Sequence, residues 1–165
     1  MTSLSTPLRW LLLSAVLWLA GCAAMPERLQ TGTPRAQVVE QLGPPTGEYA
    51  LADGVRLQYS RQPLGRQVYN LDFGADGRLR RVEQALETET MLRSIQIDRW
   101  TREDVLRYMG RPALVERVAR FDGDIWTYRY LELNNERLAH VHIDRGGVVR
   151  KLLFLDEFIP PSDRS

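Results

Sequence analysis

TPRAQVVEQLGPP, Thr33 to Pro45, returns without a gap as WTREDVLRYMGRP, Trp100 to Pro112, at an offset of 67 residues. Val38 aligns with Val105, Leu42 with Met109, Gly43 with Gly110 and Pro45 with Pro112. Working outward, DGVRLQYS (Asp53 to Ser60) matches DGDIWTYR (Asp122 to Arg129) at an offset of 69. VYNLDFGADGRLRRV (Val68 to Val82) then matches LAHVHIDRGGVVRKL (Leu138 to Leu152) at an offset of 70. The offset drifts by only three residues, each step falling in a loop. Three blocks in one order indicate a duplicated unit of about 70 residues, longer than the usual solenoid repeat.

Both copies parse alike. Thr33-Pro34 reads as a cap followed by proline at the first helical position. In the second copy Thr101 caps, and Glu103 and Asp104 suit the positive helix start. Val38, Val39 and Leu42 fall at helical spacing, as do Val105, Leu106 and Met109. Gly43 and Gly110 stop the helices, and Pro45 and Pro112 prevent their continuation. Three strands follow. Val55, Leu57 and Tyr59 alternate with polar residues, as do Tyr69, Leu71 and Phe73. Asp76-Gly77 turns into a third strand over Leu79 to Ala85. The second copy offers Trp126, Tyr128 and Tyr130, then Ala139, Val141 and Ile143, then Gly146-Gly147 and a strand over Val148 to Leu155. An extra helix opens it, capped near Thr88, with Met91, Leu92 and Ile95 on one face. The expected fold is α+β: two tandem units, each with one or two helices on a three-stranded antiparallel sheet.

The N-terminus carries a different signal. Arg9 precedes an apolar run from Trp10 to Ala20, too short for a membrane span of about 20 residues. The run ends in Leu19, Ala20, Gly21 and Cys22, which resembles the bacterial lipobox. A thiol there is the nucleophile that takes a diacylglycerol, and small residues let a signal peptidase approach the backbone. Two or three acyl chains anchor firmly, each buried methylene contributing about 0.8 kcal/mol. Ala23, not aspartate, follows the cysteine, which by resemblance to enteric sorting directs the lipoprotein to the outer membrane. The expected organisation is a signal peptide over 1–21, a first unit with a short tether over 22–86, a second over 87–159, and a loose tail over 160–165.

Removing Arg9 from the 22 basic residues leaves 21 against 21 acidic ones, so the mature side chains balance. Nothing in that points to nucleic acid. Cys22 is the only cysteine, so no disulfide is available and stability rests on core burial.

Taken together, G-x-T-x-x-x-V-x-x-x-L-G-x-P, D-G-x-x-x-x-Y and a D-G-x-[LV] turn resemble the SmpA/OmlA (BamE-like) family of outer-membrane lipoproteins. Here they read GTPRAQVVEQLGPP, DGVRLQY and DFGADGRL, then RWTREDVLRYMGRP, DGDIWTY and IDRGGVV. The best-known member has one such unit, whereas this chain has two. The tandem arrangement also resembles the β-lactamase-inhibitory protein, in which two related units join their sheets into a surface that grips an enzyme. The resemblances imply a palmitate-bearing, lipid-anchored protein at the periplasmic face of the outer membrane. Its expected role is as a scaffold or accessory factor in outer-membrane protein assembly or envelope integrity. Its partners would be the membrane and envelope proteins, the β-barrel assembly machine among them. The alternative is a periplasmic binding or inhibitor module using the joined sheet faces.

No G-x-S-x-G, P-loop or dinucleotide fingerprint is present, and DFGADG is a hairpin turn. Glu83, Glu87 and Glu89 read as solvated, and Trp100 and Trp126 as core. His140 and His142, at i and i+2 of a strand, share a face and could offer two metal ligands, but no cysteine completes a set. They read alternatively as an outward polar face opposite Ala139, Val141 and Ile143. The expectation is no enzyme, no metal, no cofactor beyond the covalent lipid on Cys22, no small-molecule substrate and no nucleic acid. The candidate partner face is the sheet side away from the helices: Arg56, Gln58, Asn70 and Asp72, then Thr127, Arg129, His140 and His142, with Ile125 among them.

Overall fold

The computed structural model describes residues 25–158, so the lipobox, Cys22 and the 160–165 tail lie outside them. Each repeat forms a four-stranded antiparallel sheet, one strand more than expected, and the protein is α+β. The first sheet comprises β1 (Gly47–Leu51), β2 (Gly54–Ser60), β3 (Val68–Phe73) and β4 (Leu79–Gln84), in chain order. The second comprises β5 (Leu114–Glu116), β6 (Gly123–Glu132), β7 (Asn135–Asp144) and β8 (Val149–Asp156), also in chain order. Helix α1 (Arg35–Leu42) precedes the first sheet, and α2 (Thr88–Ser94) and α3 (Arg102–Met109) precede the second. None of the helices among the described residues is long and apolar enough to cross a membrane.

The additional strands are the sheet edges β1 and β5. Asp53-Gly54, which opens the second matching block, belongs to a tight hairpin: Leu51 pairs with Gly54 across Ala52-Asp53. Short edge strands are a common way of ending a sheet.

The duplication extends to individual hydrogen bonds. Arg35 N–H donates to Gly77 O at 2.9 Å, and Arg102 N–H to Gly147 O at 3.0 Å. Isolated bridges join Pro34 to Arg78 and Thr101 to Val148. A register shift falls between Asp72 and Phe73, and its counterpart between His142 and Ile143. The Tyr59 hydroxyl donates to Gly43 O at 3.1 Å, and the Tyr128 hydroxyl to Gly110 O at 2.8 Å.

The helix starts differ. Thr101 accepts from Asp104 N–H while Asp104 accepts from Thr101 N–H at 2.8 Å, a reciprocal capping box. Thr33 is not the cap of α1. Pro34 holds that position, and the Thr33 hydroxyl donates instead to Gln30 O at 2.7 Å. The cap falls at the same place in both copies: Thr33 O accepts from Leu79 N–H at 2.9 Å and Trp100 O from Val149 N–H at 2.8 Å, so the next residue caps, and Pro34 stands where the second copy has Thr101.

Two cores result. Val38 of α1 packs with Leu57, Tyr69, Leu71, Phe73 and Leu79 on the near face of the first sheet. The larger core joins α2 and α3 to the second sheet through Met91, Val105, Met109, Tyr128, Tyr130 and Val141. Val68, Ala85 and Leu86 from the first repeat enter this second core. Each fully buried aliphatic or aromatic side chain contributes about 1.5–3 kcal/mol. The order of layers is therefore α1, first sheet, α2 with α3, second sheet.

Candidate functional site

The far face of the first sheet, turned away from α1, is set by strand alternation. Register places Tyr49, Arg56, Asp72 and Arg81 in one row, and Gly47, Gln58, Asn70 and Glu83 in the next. This half of the expected partner face is already occupied. Arg56, Gln58 and Asn70 are buried, and the occupant is the C-terminal end of α3.

A helix leaves its last four carbonyls without intrahelical donors. For α3, Gly110 N–H still reaches Leu106 O at 2.9 Å, so the unmet carbonyls begin at Arg107. Side chains of the first sheet serve those of Arg107 and Tyr108 and add further donors at Leu106 O. Asn70 Nδ2 donates to Tyr108 O at 2.8 Å. Gln58 Nε2 lies 3.2 Å from Arg107 O and 3.3 Å from Leu106 O, and the Tyr49 hydroxyl donates to Leu106 O at 3.3 Å. Gln58 Nε2 also lies 3.2 Å from Asn70 Oδ1, so the two amides brace each other. The polar row expected as part of a partner face thus forms a socket for a helix end of this chain, whose partial negative charge suits N–H donors.

Neighbouring groups secure the socket. Arg56 makes a two-pronged pair with Asp72, Nε to Oδ1 at 2.6 Å and Nη2 to Oδ2 at 2.8 Å. Its guanidinium lies 5.6 Å from the centre of the Tyr108 ring, within range for cation–π attraction. Burial pushes the Tyr108 phenol up to about 12, and its hydroxyl lies 2.7 Å from Ser94 Oγ. Gly110, just past the helix, has φ +72°, and a Cβ there would sit 3.0 Å from Gln58 Oε1. Gly43, its counterpart after α1, meets nothing within 4 Å.

The second sheet repeats the frame. Glu116, Ile125, His142 and Lys151 form one row, and Leu114, Thr127, His140 and Leu153 the next. Beyond them lie Arg129, Leu138 and Leu155. Thr127, Arg129, His140 and His142 therefore share one face, as the alternation predicts. Thr127 is 5 % exposed, whereas Leu114 and Leu155 are 50 % and 52 % exposed. Thr127 Oγ1 lies 2.9 Å from His140 Nδ1. The Phe121 ring stands edge-on to His142, 5.0 Å between centroids. Burial holds His140 below the usual histidine value; burial, then Lys151 and His140, do the same for His142. No described set of three His, Asp or Glu side chains is arranged to hold a metal.

At one end of this face the repeats are tied together by charge. Arg66 of the first pairs with Glu136 at 2.7 Å and with Glu157, and Arg129 pairs with Glu157 at 2.9 Å. Gln62 Nε2 donates to Arg129 O at 2.6 Å. At the other end, a cleft of about 780 Å³ is lined by Arg102, Arg117, Arg120, Arg145, Asp122 and Asp124. Its arginines are largely spent internally: Arg102 and Arg117 on Asp124 at 2.6 and 2.8 Å, Arg145 on Asp122 at 2.5 Å.

No family model and no curated protein matches this chain. Among solved structures it is similar to a DUF4309 family protein, YjgB, from Bacillus subtilis. That likeness has 14% sequence identity and a TM-score of 0.32, and covers 76% of this chain and 79% of the other. At that level it carries no inference about fold or function.

Proposed function

We propose that this protein is a lipid-anchored outer-membrane lipoprotein, facing the periplasm. It acts without catalysis, as a scaffold or accessory factor in outer-membrane protein assembly or envelope integrity. The lipobox at Leu19 to Cys22 supports the anchor, and the SmpA/OmlA-like motifs support the setting. One observation carries the interaction role. The far face of the second sheet has the frame of a face that, in the first sheet, already holds a protein element.

Crosslinked pull-down of the full chain from solubilised envelopes tests this reading. Recovery of barrel-assembly subunits is expected. Recovery of a soluble hydrolase alone overturns it in favour of an inhibitor, which would have only the second sheet to grip with, since α3 covers the first. Cys22→Ser should release the protein from the outer membrane; unchanged fractionation would remove the lipid anchor from the proposal.

A further inference from the structure

The two far faces correspond position by position, and their differences say what the second one fits. Gln58 and Asn70 become Thr127 and His140, and in both copies this central polar pair is in contact across the strands. Around it, Gly47 becomes Leu114, Arg56 becomes Ile125 and Glu83 becomes Leu153. Val68 and Ala85, which in the first copy enter the central core, become Leu138 and Leu155. The polar centre persists while the positions of Leu114, Ile125, Leu138, Leu153 and Leu155 turn apolar; Tyr49, Asp72 and Arg81 become Glu116, His142 and Lys151, which stay polar or charged.

We propose that this face binds the C-terminal turn of an α-helix belonging to another envelope protein. His140 meets the last carbonyls of that helix, and Leu114, Leu153 and Leu155 pack its apolar side chains. The inference deepens the interaction role proposed above and rests on it. It extends the α3 interface to the next face of the same array.

Three features favour this occupant. With the Thr127 hydroxyl donating to His140 Nδ1, the ring's Nε2–H is left to donate outward, as the Asn70 amide does to Tyr108 O. Burial keeps His140 neutral near pH 7, the state in which the two ring nitrogens divide into one acceptor and one donor. Lys151, which shares a row with His142, is exposed and has no carboxylate partner among the described residues. A cation there suits the negative end of a helix, and the row's one carboxylate, Glu116, stands at its opposite end on β5. A second copy of this chain fits less well. Its equivalent helix, α1, exposes Ala36, Gln37, Glu40 and Gln41, a polar surface against a leucine-rimmed socket.

The test is photo-crosslinking in intact cells, with p-benzoylphenylalanine at position 153 of the full-length lipoprotein and the crosslinked peptides mapped by mass spectrometry. The expected products lie in the last two turns of a helix of another envelope protein. His140→Ala lowers their yield by about fivefold, the scale of one lost hydrogen bond. The double substitution T127Q with H140N, which reinstates the first copy's amides, holds the yield within about twofold of the parent. Lys151→Glu, an exposed change that leaves the fold intact, also lowers it by setting a negative charge against the helix end. Crosslinks to a partner's strand or loop, or yields indifferent to His140→Ala and Lys151→Glu, overturn the helix-end inference but leave the interaction role standing. Crosslinks only to a second copy or to phospholipid, or none at all, overturn both.

Discussion

Asn70→Ala tests the α3 socket at its most buried point. Asn70 is 0 % exposed, and its amide is the donor to Tyr108 O at 2.8 Å. Truncation leaves that carbonyl buried without a partner, a loss of about 1–3 kcal/mol. Gln58 loses one acceptor but keeps contact with Leu106 O and Arg107 O, adding about 0.5–1 kcal/mol. The expected total of about 1.5–4 kcal/mol is a large share of a stability of about 5–15 kcal/mol. Urea unfolding of the full chain in detergent, followed by circular dichroism, reads this as a lower midpoint at unchanged slope. Asn70→Asp sharpens the test. An ionised carboxylate sets oxygen against the Tyr108 carbonyl, so at neutral pH it should cost at least as much as alanine. The protonated acid donates as the amide did, so folding raises this group's pKa above its unfolded value of about 4. The donor's contribution is therefore fully present below about pH 4 and lost as pH rises through the raised folded value. Relative to Asn70→Ala at the same pH, Asn70→Asp should become the more stable variant on acidification. If Asn70→Ala stays within about 0.5 kcal/mol of the parent, water serves these carbonyls as well as the sheet does, and the socket is wrong.

Tyr128→Phe should cost about 1–2 kcal/mol in the same assay, because Gly110 O loses its donor in a fully buried site. Tyr59→Phe at the half-buried counterpart should cost less, and equal costs would refute that account. Gly43→Ala and Gly110→Ala share the strain of a positive φ, about 1–3 kcal/mol, but only the second drives a Cβ against Gln58. Gly110→Ala should therefore lower the urea midpoint further, and the Gln58→Ala background should narrow the gap. His140 and His142 are held below the ordinary value of 6.5, so the unfolded chain binds more protons as pH falls past that value. The stability they contribute is full above about 6.5 and lost as pH drops through the folded values. His140→Gln should flatten the decline in urea midpoint between about pH 7.5 and pH 5, and an unaltered slope would place the titration elsewhere.

Strand alternation and turn residues made much of the fold legible. Val55, Leu57 and Tyr59 pointed inward as their spacing required, and Gly43 and Gly110 ended α1 and α3. The edge strands are less legible: alternation begins at Val55, and of the two only β1 carries a turn signal, the hairpin pair Asp53-Gly54. The identity of the residues on each far face was also legible, because period two assigns a side chain to a face without regard to what covers it. Coverage itself was not. Gln58 and Asn70 are amides whether they meet water or the end of a helix, and periodicity cannot separate the two. A weak signal did exist in Gly110, which follows a helix ending in Tyr-Met and has little polar surface to offer water. What was missing was the distance between that helix end and a sheet contributed by the other repeat.

The duplication supplies the comparison that relatives do not. Equivalent positions share backbone geometry, so a difference in burial between them reflects what lies above the sheet. Ala85 is fully buried, whereas Leu155, its counterpart seventy residues on, is 52 % exposed. Were the second far face merely solvated, its free energy would favour polar residues at the positions of Glu83 and Gly47. Leucine stands at both, and the exposed Leu114 and Leu155 beside half-buried Leu153 carry a solubility cost that a monomeric surface gains nothing from. The polar pair at the centre opposes the simplest apolar explanation, since with Thr127 donating to His140 Nδ1, sheet-on-sheet burial would leave the His140 Nε2–H without an acceptor. A helix end resolves both demands at once: its side chains are free to be apolar while its last carbonyls must still be met. The first sheet shows that this backbone frame can satisfy them, and the second carries the side chains to do so for a helix that the described residues do not provide.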